Sequence, residues 1–299
     1  MAGDVAEAPP RRWRWESLTG GGAVLQEDGY RRLWLGRLCA NTALNAVLFT
    51  LLVQAVGEGN GSSIKSALFV TAYLLPTATL GTISGVIVDR LPKNLLLAAV
   101  NVARLGLMVV LVMSNSEIWT IYGIALLIAT SSQFSAPAEA AAVPQLVRQD
   151  QITVANSANN FGGLISQVVG FAVLPPFFLN TIGPRPLFII AAVLFGVGAF
   201  FFISIAQLGS RDFDVDSTLE VIRDVRKQFA QAWDTLKRDL ASYMSVIIFV
   251  LSSTASLVAV TLMPSFMQDV LDIPVRNAVF VFLPAALGIV AGLRLVQVL

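Results

Sequence analysis

Eight long apolar segments dominate this chain of 299 residues and limit what it can fold into. Each is close to or longer than the about 20 residues that a helix needs to cross a bilayer. Charged residues make up 13% of the chain, about half the fraction of a soluble protein. The sequence therefore predicts an all-α, multi-pass membrane protein surrounded by the lipid bilayer. The segments cover residues 33–56, 66–88, 95–113, 118–137, 152–179, 187–208, 243–267 and 277–299.

The composition argues against an enzyme. The chain has no histidine, the commonest general base and metal ligand, and its one cysteine, Cys39, cannot form a disulfide framework. The stretch GNGSSIKS fails as a nucleotide-binding loop because Ile64 stands before Lys65 where glycine is required. The stretch GTISG is not the G-x-S-x-G of a nucleophile elbow, and no histidine exists to activate Ser84. We expect no enzymatic activity, no cofactor, no metal site and no nucleic-acid partner.

The distribution of lysine and arginine predicts the orientation of the segments. If the N-terminus is cytoplasmic, fifteen of these residues fall on the cytoplasmic side. The opposite side carries three, Lys65, Arg185 and Arg276. Because short cytoplasmic loops carry the excess of positive charge, we expect a cytoplasmic N-terminus.

Loop lengths divide the chain into four parts. Residues 1–30 contain AEAPP and GGG and are expected to form a disordered cytoplasmic tail. Residues 31–208 hold six apolar segments and predict an N-terminal six-helix bundle. Residues 209–240 are expected to form an amphipathic cytoplasmic linker that lies at the membrane interface. Residues 241–299 hold two more segments and predict the first two helices of a second bundle.

An internal repeat supports two related halves. The second segment contains LLPTATLGTISGVIVDR and the eighth contains FLPAALGIVAGLRLVQV, and both place a G-x-x-x-G after Leu-Pro. Gly81 and Gly85 correspond to Gly288 and Gly292, an offset of 207 residues, which is where a repeat of six helices would fall. The second copy has valine where the first has Asp89, so the charged turn is not repeated.

The turn between the second and third segments is sharply charged. In GTISGVIVDRLPKN a long uncharged run gives way to Asp89, Arg90 and Lys93. Asp89 would end a helix, where the macrodipole disfavours an anion by about 0.3–1 kcal/mol. We expect Arg90 and Lys93 to compensate in part, and Gly81 and Gly85 to let another backbone approach closely. The alternative is a turn whose positive residues set the topology and whose acid is solvated.

Arg104 is the most unusual residue inside a segment. It would lie about 16 Å along the third helix, near the middle of the membrane, where a charge costs at least about 2.5 kcal/mol. Asn101 shares its helix face. This depth predicts a functional cation that faces a cavity or an acid; the alternative is an arginine held structurally by carbonyl groups or by Glu139. Arg37 and Arg294 lie closer to the cytoplasmic ends, where their side chains are expected to snorkel.

Amide side chains recur at helical spacing and predict a cavity. They offer hydrogen-bond donors and acceptors without charge, which suits a large and partly apolar compound. The alternative is that they join helices through hydrogen bonds worth about 0.6 kcal/mol each. Asp89 and Glu139 are acids near the cytoplasmic membrane edge and are the candidate proton sites. The candidate cavity residues are Asn41, Asn45, Asn101, Arg104, Gln133, Asn156, Asn160 and Gln167.

These motifs resemble the major facilitator superfamily and, within it, bacterial drug and siderophore exporters of the enterobactin-exporter and macrolide-efflux type. The resemblance covers about residues 31–299. It rests on G-x-x-x-D-R-x-P-K in the charged turn and on FSAPAEAAAVPQLV (134–147) followed by ANSANN (155–160). It implies that the turn is a gating motif that latches two halves together on the cytoplasmic side. The residues of this gating motif are Gly81, Gly85, Asp89, Arg90, Pro92 and Lys93.

Three features depart from the family pattern. The superfamily builds two six-helix halves, so a chain of eight segments resembles a fragment, and we expect it not to transport alone. Gly170-Phe171, with Pro175 and Pro176 further on, stands where exporters carry Gly-Pro and further glycines, which leaves the direction of transport open. Asn94 stands where further basic residues are usual.

The resemblance implies a secondary active transporter in the bacterial inner membrane. Such a carrier would export amphipathic, drug- or siderophore-like small molecules by alternating access, with a coupling ion expected to be a proton. The alternative is a non-transporting scaffold, receptor or lipid scramblase built on the same helices. Neutral replacement of Asp89 and Arg104 would be tolerated by the scaffold but not by the carrier.

Overall fold

The protein is described by a computed structural model that covers residues 24–57, 63–114, 117–205, 208 and 239–271. Within these residues the regular structure is helical, and the all-α prediction is confirmed. A 3-10 turn, Gln149–Gln151, precedes the helix Ile152–Gln167, and a π-helical segment, Val168–Val173, joins that helix to Leu174–Thr181. The helices are α1 (Asp28–Val56), α2 (Ser63–Arg90), α3 (Lys93–Met113), α4 (Ile118–Leu146), α5 (Ile152–Gln167), α6 (Leu174–Thr181), α7 (Pro184–Ile203) and α8 (Leu240–Asp269).

Several of these helices are long and apolar enough to cross a membrane, which confirms the multi-pass prediction. Two further helices, α2 and α8, contain shorter apolar stretches, Ala67–Gly81 and Ser242–Ser256. The predicted segment at 277–299 lies outside the described residues. In the described part of the chain, five spans reach membrane length: Asp28–Ala55, Lys93–Met113, Ile118–Leu146, Gln149–Thr181 and Pro184–Ile203.

The first helix begins earlier than the sequence predicted. Helix α1 starts at Asp28, and Val24 and Tyr30 are buried in the protein core. Residues 24–30 are therefore not part of a disordered tail, because they are anchored by apolar packing. The amphipathic linker predicted for 209–240 falls almost entirely outside the described residues.

Helices α1 to α7 share one apolar core, as expected for the predicted six-helix bundle. Helix α1 packs against α4, α5, the π-helical segment and α7. Helix α3 packs against α4 and α7, and α2 packs against α4. Helix α8 lies at the edge of this arrangement, where it contacts α2 and buries Met267 against Phe49 of α1.

Close helix contacts occur where glycine removes a side chain. A Cβ on Gly198 of α7 would lie 3.2 Å from the Gly36 carbonyl oxygen of α1. A Cβ on Gly170 of the π-helical segment would lie 2.6 Å from Asn45 Cβ and 2.7 Å from the Thr42 carbonyl oxygen, both on α1. Because lipid tails are as apolar as leucine, van der Waals packing of this kind is a main source of helix association in a membrane.

Candidate functional site

Arg104 is held between three helices. Its Nε donates a hydrogen bond to Ser131 Oγ at 2.9 Å, and its Nη2 donates to Ser132 Oγ at 2.9 Å and to Ser135 Oγ at 3.1 Å. The guanidinium carbon lies 5.8 Å from the centre of the Phe195 ring of α7. Only 2% of Arg104 is exposed. The arginine therefore connects α3 to α4 and α7 in the interior of the protein.

The serines of α4 are oriented as acceptors by their own helix. Ser131 and Ser132 each donate a hydrogen bond to the Ile128 carbonyl, at 2.7 and 2.9 Å. Such bonds to the preceding turn are usual for serine in membrane helices, and they leave the oxygen lone pairs for Arg104. Arg104 is thus buried and does not face an open cavity among the described residues, and its role as a functional cation stays a prediction. Its direct partners are hydroxyl groups rather than carbonyl groups or Glu139.

Arg37 and Glu139 form an ion pair between α1 and α4. Arg37 Nε lies 2.9 Å from Glu139 Oε2, and the two side chains are 28% and 10% exposed. Arg37 therefore does not snorkel, contrary to the sequence prediction. The Nε hydrogen has no well-aligned acceptor among the described residues, so the short contact is electrostatic rather than a good hydrogen bond.

The ion pair and Arg104 belong to one charged cluster, which we define as Arg37, Arg104 and Glu139. Ser131, Ser135 and Glu139 are spaced four residues apart on α4 and so lie on one helix face. Glu139 is close enough to Arg104, as well as to Arg37, for electrostatic attraction. With all three groups ionised, the cluster has one positive charge in excess.

Asn101 lies in the packing between α3 and its neighbours rather than on an open surface. It is buried, and its Nδ2 donates to the Leu97 carbonyl at 2.8 Å. Its Oδ1 lacks a hydrogen-bond partner within the described part of the chain and points toward Gly198 of α7. Asn101 is therefore buried, whereas other predicted cavity residues, Asn156, Asn160 and Gln167, are exposed.

The amides of α1 and α4 lie at helix contacts. Asn41 and Asn45 are half-buried on α1, and Asn45 touches the π-helical segment where Gly170 lacks a side chain. Gln133 Nε2 donates to Thr77 Oγ1 of α2 at 2.8 Å. Gln133 thus joins two helices by a hydrogen bond, whereas the described contact of Asn45 is one of packing.

The amides of α5 behave differently, because they are exposed. Asn156, Asn160 and Gln167 lie on one side of the helix and form what we call the amide stripe. The opposite side of α5 is fixed to α1, where Tyr30 donates to the Ala155 carbonyl at 2.7 Å. Trp34 Nε1 also donates to the Ala158 carbonyl of α5 at 2.9 Å. Packing on one side therefore presents the amide stripe outward on the other.

The charged turn joins α2 to α3 and is organised by Lys93. Lys93 is only 4% exposed, and its Nζ donates to the Asp89 carbonyl at 2.7 Å and the Leu91 carbonyl at 3.0 Å. The lysine thus neutralises the C-terminal end of α2, where carbonyl groups lack helical partners. The Asp89 carboxylate is exposed and forms no salt bridge with the residues that the structure describes.

Two expectations about this turn stay predictions. Arg90 and Lys93 were predicted to compensate the Asp89 carboxylate in part, and the described contacts of Lys93 include the backbone carbonyls of Asp89 and Leu91. Gly81 and Gly85 were predicted to allow close backbone approach. Among the described residues, a Cβ on Gly85 would meet nothing within 4 Å, and one on Gly81 would meet only Gln133 Oε1 at 3.9 Å. Whether the turn and Pro92 act as a gate stays a prediction.

The sequence alone did not reveal the polar partners of Arg104 or the close contact at Gly170. The spacing of Ser131, Ser135 and Glu139 was a usable signal, because a polar residue every fourth position on an apolar helix indicates an inward-facing stripe. The pairing of Arg37 with Glu139 had no signal in the sequence, since it depends on how α1 crosses α4.

Comparison with known proteins gives a family match. The sequence model of the Major Facilitator Superfamily matches residues 33–298, which includes most of α1 and all of α2 to α8. A search of curated proteins found no match. The family match covers well over half of the chain and includes the charged cluster, the amide stripe and the charged turn.

Proposed function

Because the chain belongs to the Major Facilitator Superfamily, a family of membrane transporters, we propose that it exports amphipathic small molecules by secondary active transport. Transport would follow alternating access, in which two helix bundles rock about a site near the middle of the membrane. The energy would come from an ion gradient, with a proton as the expected ion. The compounds would be drug-like or siderophore-like in size and amphipathic character.

The amide stripe is the observation that carries this proposal. Asn156, Asn160 and Gln167 are exposed on a helix within a membrane-length span, Gln149–Thr181. An amide that faces hydrocarbon loses its hydrogen bonds to water without replacement, which is unfavourable. The stripe is therefore expected to face a water-filled cavity or a second helix bundle. A water-filled cavity and a second helix bundle are both features of a carrier with a central site.

The charged cluster supports the same proposal. Arg37 is the most exposed member, and Asn41 and Asn45 follow it at successive turns of α1. This places a cation and two amides on one helix face beside α5. Polar groups converging within a membrane indicate a substrate or ion pathway.

The proposed coupling depends on two acids. Glu139 lies in the charged cluster, and Asp89 lies exposed at the end of α2. Either group could take up a proton when the site opens to one side of the membrane. We propose that the protein lies in a bacterial inner membrane with the N-terminus cytoplasmic, because positive residues predominate on that side.

Replacement of the amide stripe tests the proposed function. The double variant Asn160→Leu and Gln167→Leu should still insert, because leucine suits a membrane helix, but it should lose most efflux of amphipathic dyes from cells that express the complete gene. Val193→Leu on the exposed face of α7 is the matched control and should retain efflux. Equal efflux by the double variant and the control would contradict a role for the stripe in transport and favour the scaffold alternative.

A further inference from the structure

We infer that the charged cluster selects an anionic substrate, whose carboxylate or similar group binds Arg37 and releases Glu139 to Arg104. This inference rests on the proposed function and adds the chemical class of the substrate. It starts from the charge of the cluster. The cluster holds two guanidinium groups and one carboxylate: Glu139 pairs with Arg37, and the direct partners of Arg104 are the neutral hydroxyls of Ser131, Ser132 and Ser135.

An excess positive charge is costly in an environment of low dielectric constant. Coulomb energies are several times larger there than in water, so an unneutralised cation strongly favours the arrival of an anion. A monoanion would bring the cluster to two cations and two anions, which form two pairs and leave it neutral. A cation would have to approach Glu139 against the repulsion of both arginines, which disfavours cationic substrates.

Arg37 is the arginine that a substrate can reach. Its side chain is 28% exposed, against 2% for the whole of Arg104. Its Nε is buried against Glu139 Oε2 at 2.9 Å, so the exposed part of the side chain is what an anion could contact. Asn41, one turn further along α1, is half-buried and could bind a neutral part of the same compound.

Glu139 has a second position available when an anion takes Arg37. It lies one helical turn beyond Ser135, whose hydroxyl accepts a hydrogen bond from Arg104 at 3.1 Å. Glu139 and Ser135, which contacts Arg104, lie on the same face of α4. A change of side-chain rotamer would then convert the carboxylate paired with Arg37 into a direct partner of Arg104. Substrate binding would thus be coupled to a rearrangement between α1 and α4, the helices that carry Arg37 and Glu139.

Three dansyl compounds that share one fluorophore test the selection of charge. Dansylglycine carries a carboxylate, dansylamide is neutral and dansylcadaverine carries an ammonium group. Fluorescence titration of the purified chain in lipid nanodiscs should give the tightest binding for dansylglycine. The preference over dansylamide should be at least about tenfold, as expected for one charge-assisted hydrogen bond.

Variants of the charged cluster test which of its residues causes the preference for dansylglycine. Arg37→Gln should abolish the preference for dansylglycine, whereas Glu139→Gln should keep or strengthen it because no carboxylate then competes for Arg37. Arg31→Gln is the control, since Arg31 lies on the same helix but pairs with Asp28 at the surface. Thermal unfolding of each variant would identify loss of folding. Arg37→Lys retains the charge and should retain a preference for the anion if Arg37→Gln does not fold.

Two outcomes would overturn the inference. One is equal or tighter binding of dansylcadaverine; the other is loss of dansylglycine binding in Glu139→Gln with normal binding in Arg37→Gln. Efflux of the same three compounds from cells that express the complete gene separates this inference from the proposed function. Efflux of dansylcadaverine alone would reject anion selection and leave transport standing, whereas efflux of none of the three would count against both.

Discussion

Gly170 illustrates how strongly a single residue can control helix packing in this protein. The π-helical segment meets α1 at this position, and a Cβ would lie 2.6 Å from Asn45 Cβ and 2.7 Å from the Thr42 carbonyl oxygen. Both distances are shorter than carbon–carbon and carbon–oxygen contacts allow. The backbone of one element would therefore have to move to admit any side chain.

We expect Gly170→Ala to destabilise the protein by about 1–3 kcal/mol, as is usual for overpacking. The control is Gly163→Ala in α5, where a Cβ would meet nothing within 4 Å of the described residues. Thermal unfolding in detergent would measure both variants. A melting temperature for Gly170→Ala equal to that of Gly163→Ala would show that the contact is looser than described.

The importance of a single residue was predictable when its type was unusual for its depth in the membrane. Its role was not predictable when that role depends on a partner from another helix. Arg104 stands out in an apolar segment, so the sequence identified it. Its burial among Ser131, Ser132 and Ser135 depends on the rotation of α4 against α3, which the sequence does not specify. Arg37 was wrongly assigned to the interface for the same reason, since Glu139 approaches it from another helix.

At the scale of elements, the turn from α2 to α3 carries a buried cation, Lys93, and an exposed acid, Asp89. Lys93 is buried and binds the Asp89 and Leu91 carbonyls, while the Asp89 carboxylate faces outward. The two side chains should therefore have different roles although they lie four residues apart. The lysine should support folding, and the carboxylate should support transport.

Replacement of each side chain should separate these roles. Lys93→Met keeps the apolar stem but leaves two carbonyls without their donor, so we expect a loss of about 1–3 kcal/mol in stability. Asp89→Asn should keep insertion and stability but abolish efflux, because the amide preserves the shape and loses the charge needed for the proposed gate.

Each variant serves as the control for the other. Thermal unfolding in detergent and efflux from cells would be measured for both. Normal efflux with Asp89→Asn would reduce this acid to a surface residue of the turn. Unchanged stability with Lys93→Met would show that water replaces the ammonium group at the end of α2.

Most helices were predictable from apolar length, because a bilayer requires long runs of apolar residues whatever their packing. The start of α1 was placed too late, since Asp28 and Tyr30 are polar residues that the apolar pattern excludes. The π-helical segment at Val168–Val173 was not predicted. Its position just before Pro175 has a physical reason: proline lacks the N–H that would continue the helical hydrogen bonds, so the preceding turn can widen.

The whole molecule carries its apolar side chains outside as well as inside. Large hydrophobic residues such as Val193, Phe200 and Phe249 are exposed on α7 and α8. A soluble protein rarely exposes extensive apolar patches, whereas a lipid environment favours them. The amide stripe of α5 differs from this apolar surface and is consistent with a polar cavity or a second bundle on that side.

The central claim is that this chain belongs to an exporter driven by an ion gradient, and uptake of dansylglycine by cells tests it most directly. Cells that express the complete gene should accumulate less dansylglycine than cells that express the Asp89→Asn variant at the same level. Addition of a protonophore should remove the difference, because it dissipates the proton gradient. The claim would be contradicted if each of the three compounds, dansylglycine, dansylamide and dansylcadaverine, accumulated to the same level in both kinds of cell and the protonophore had no effect.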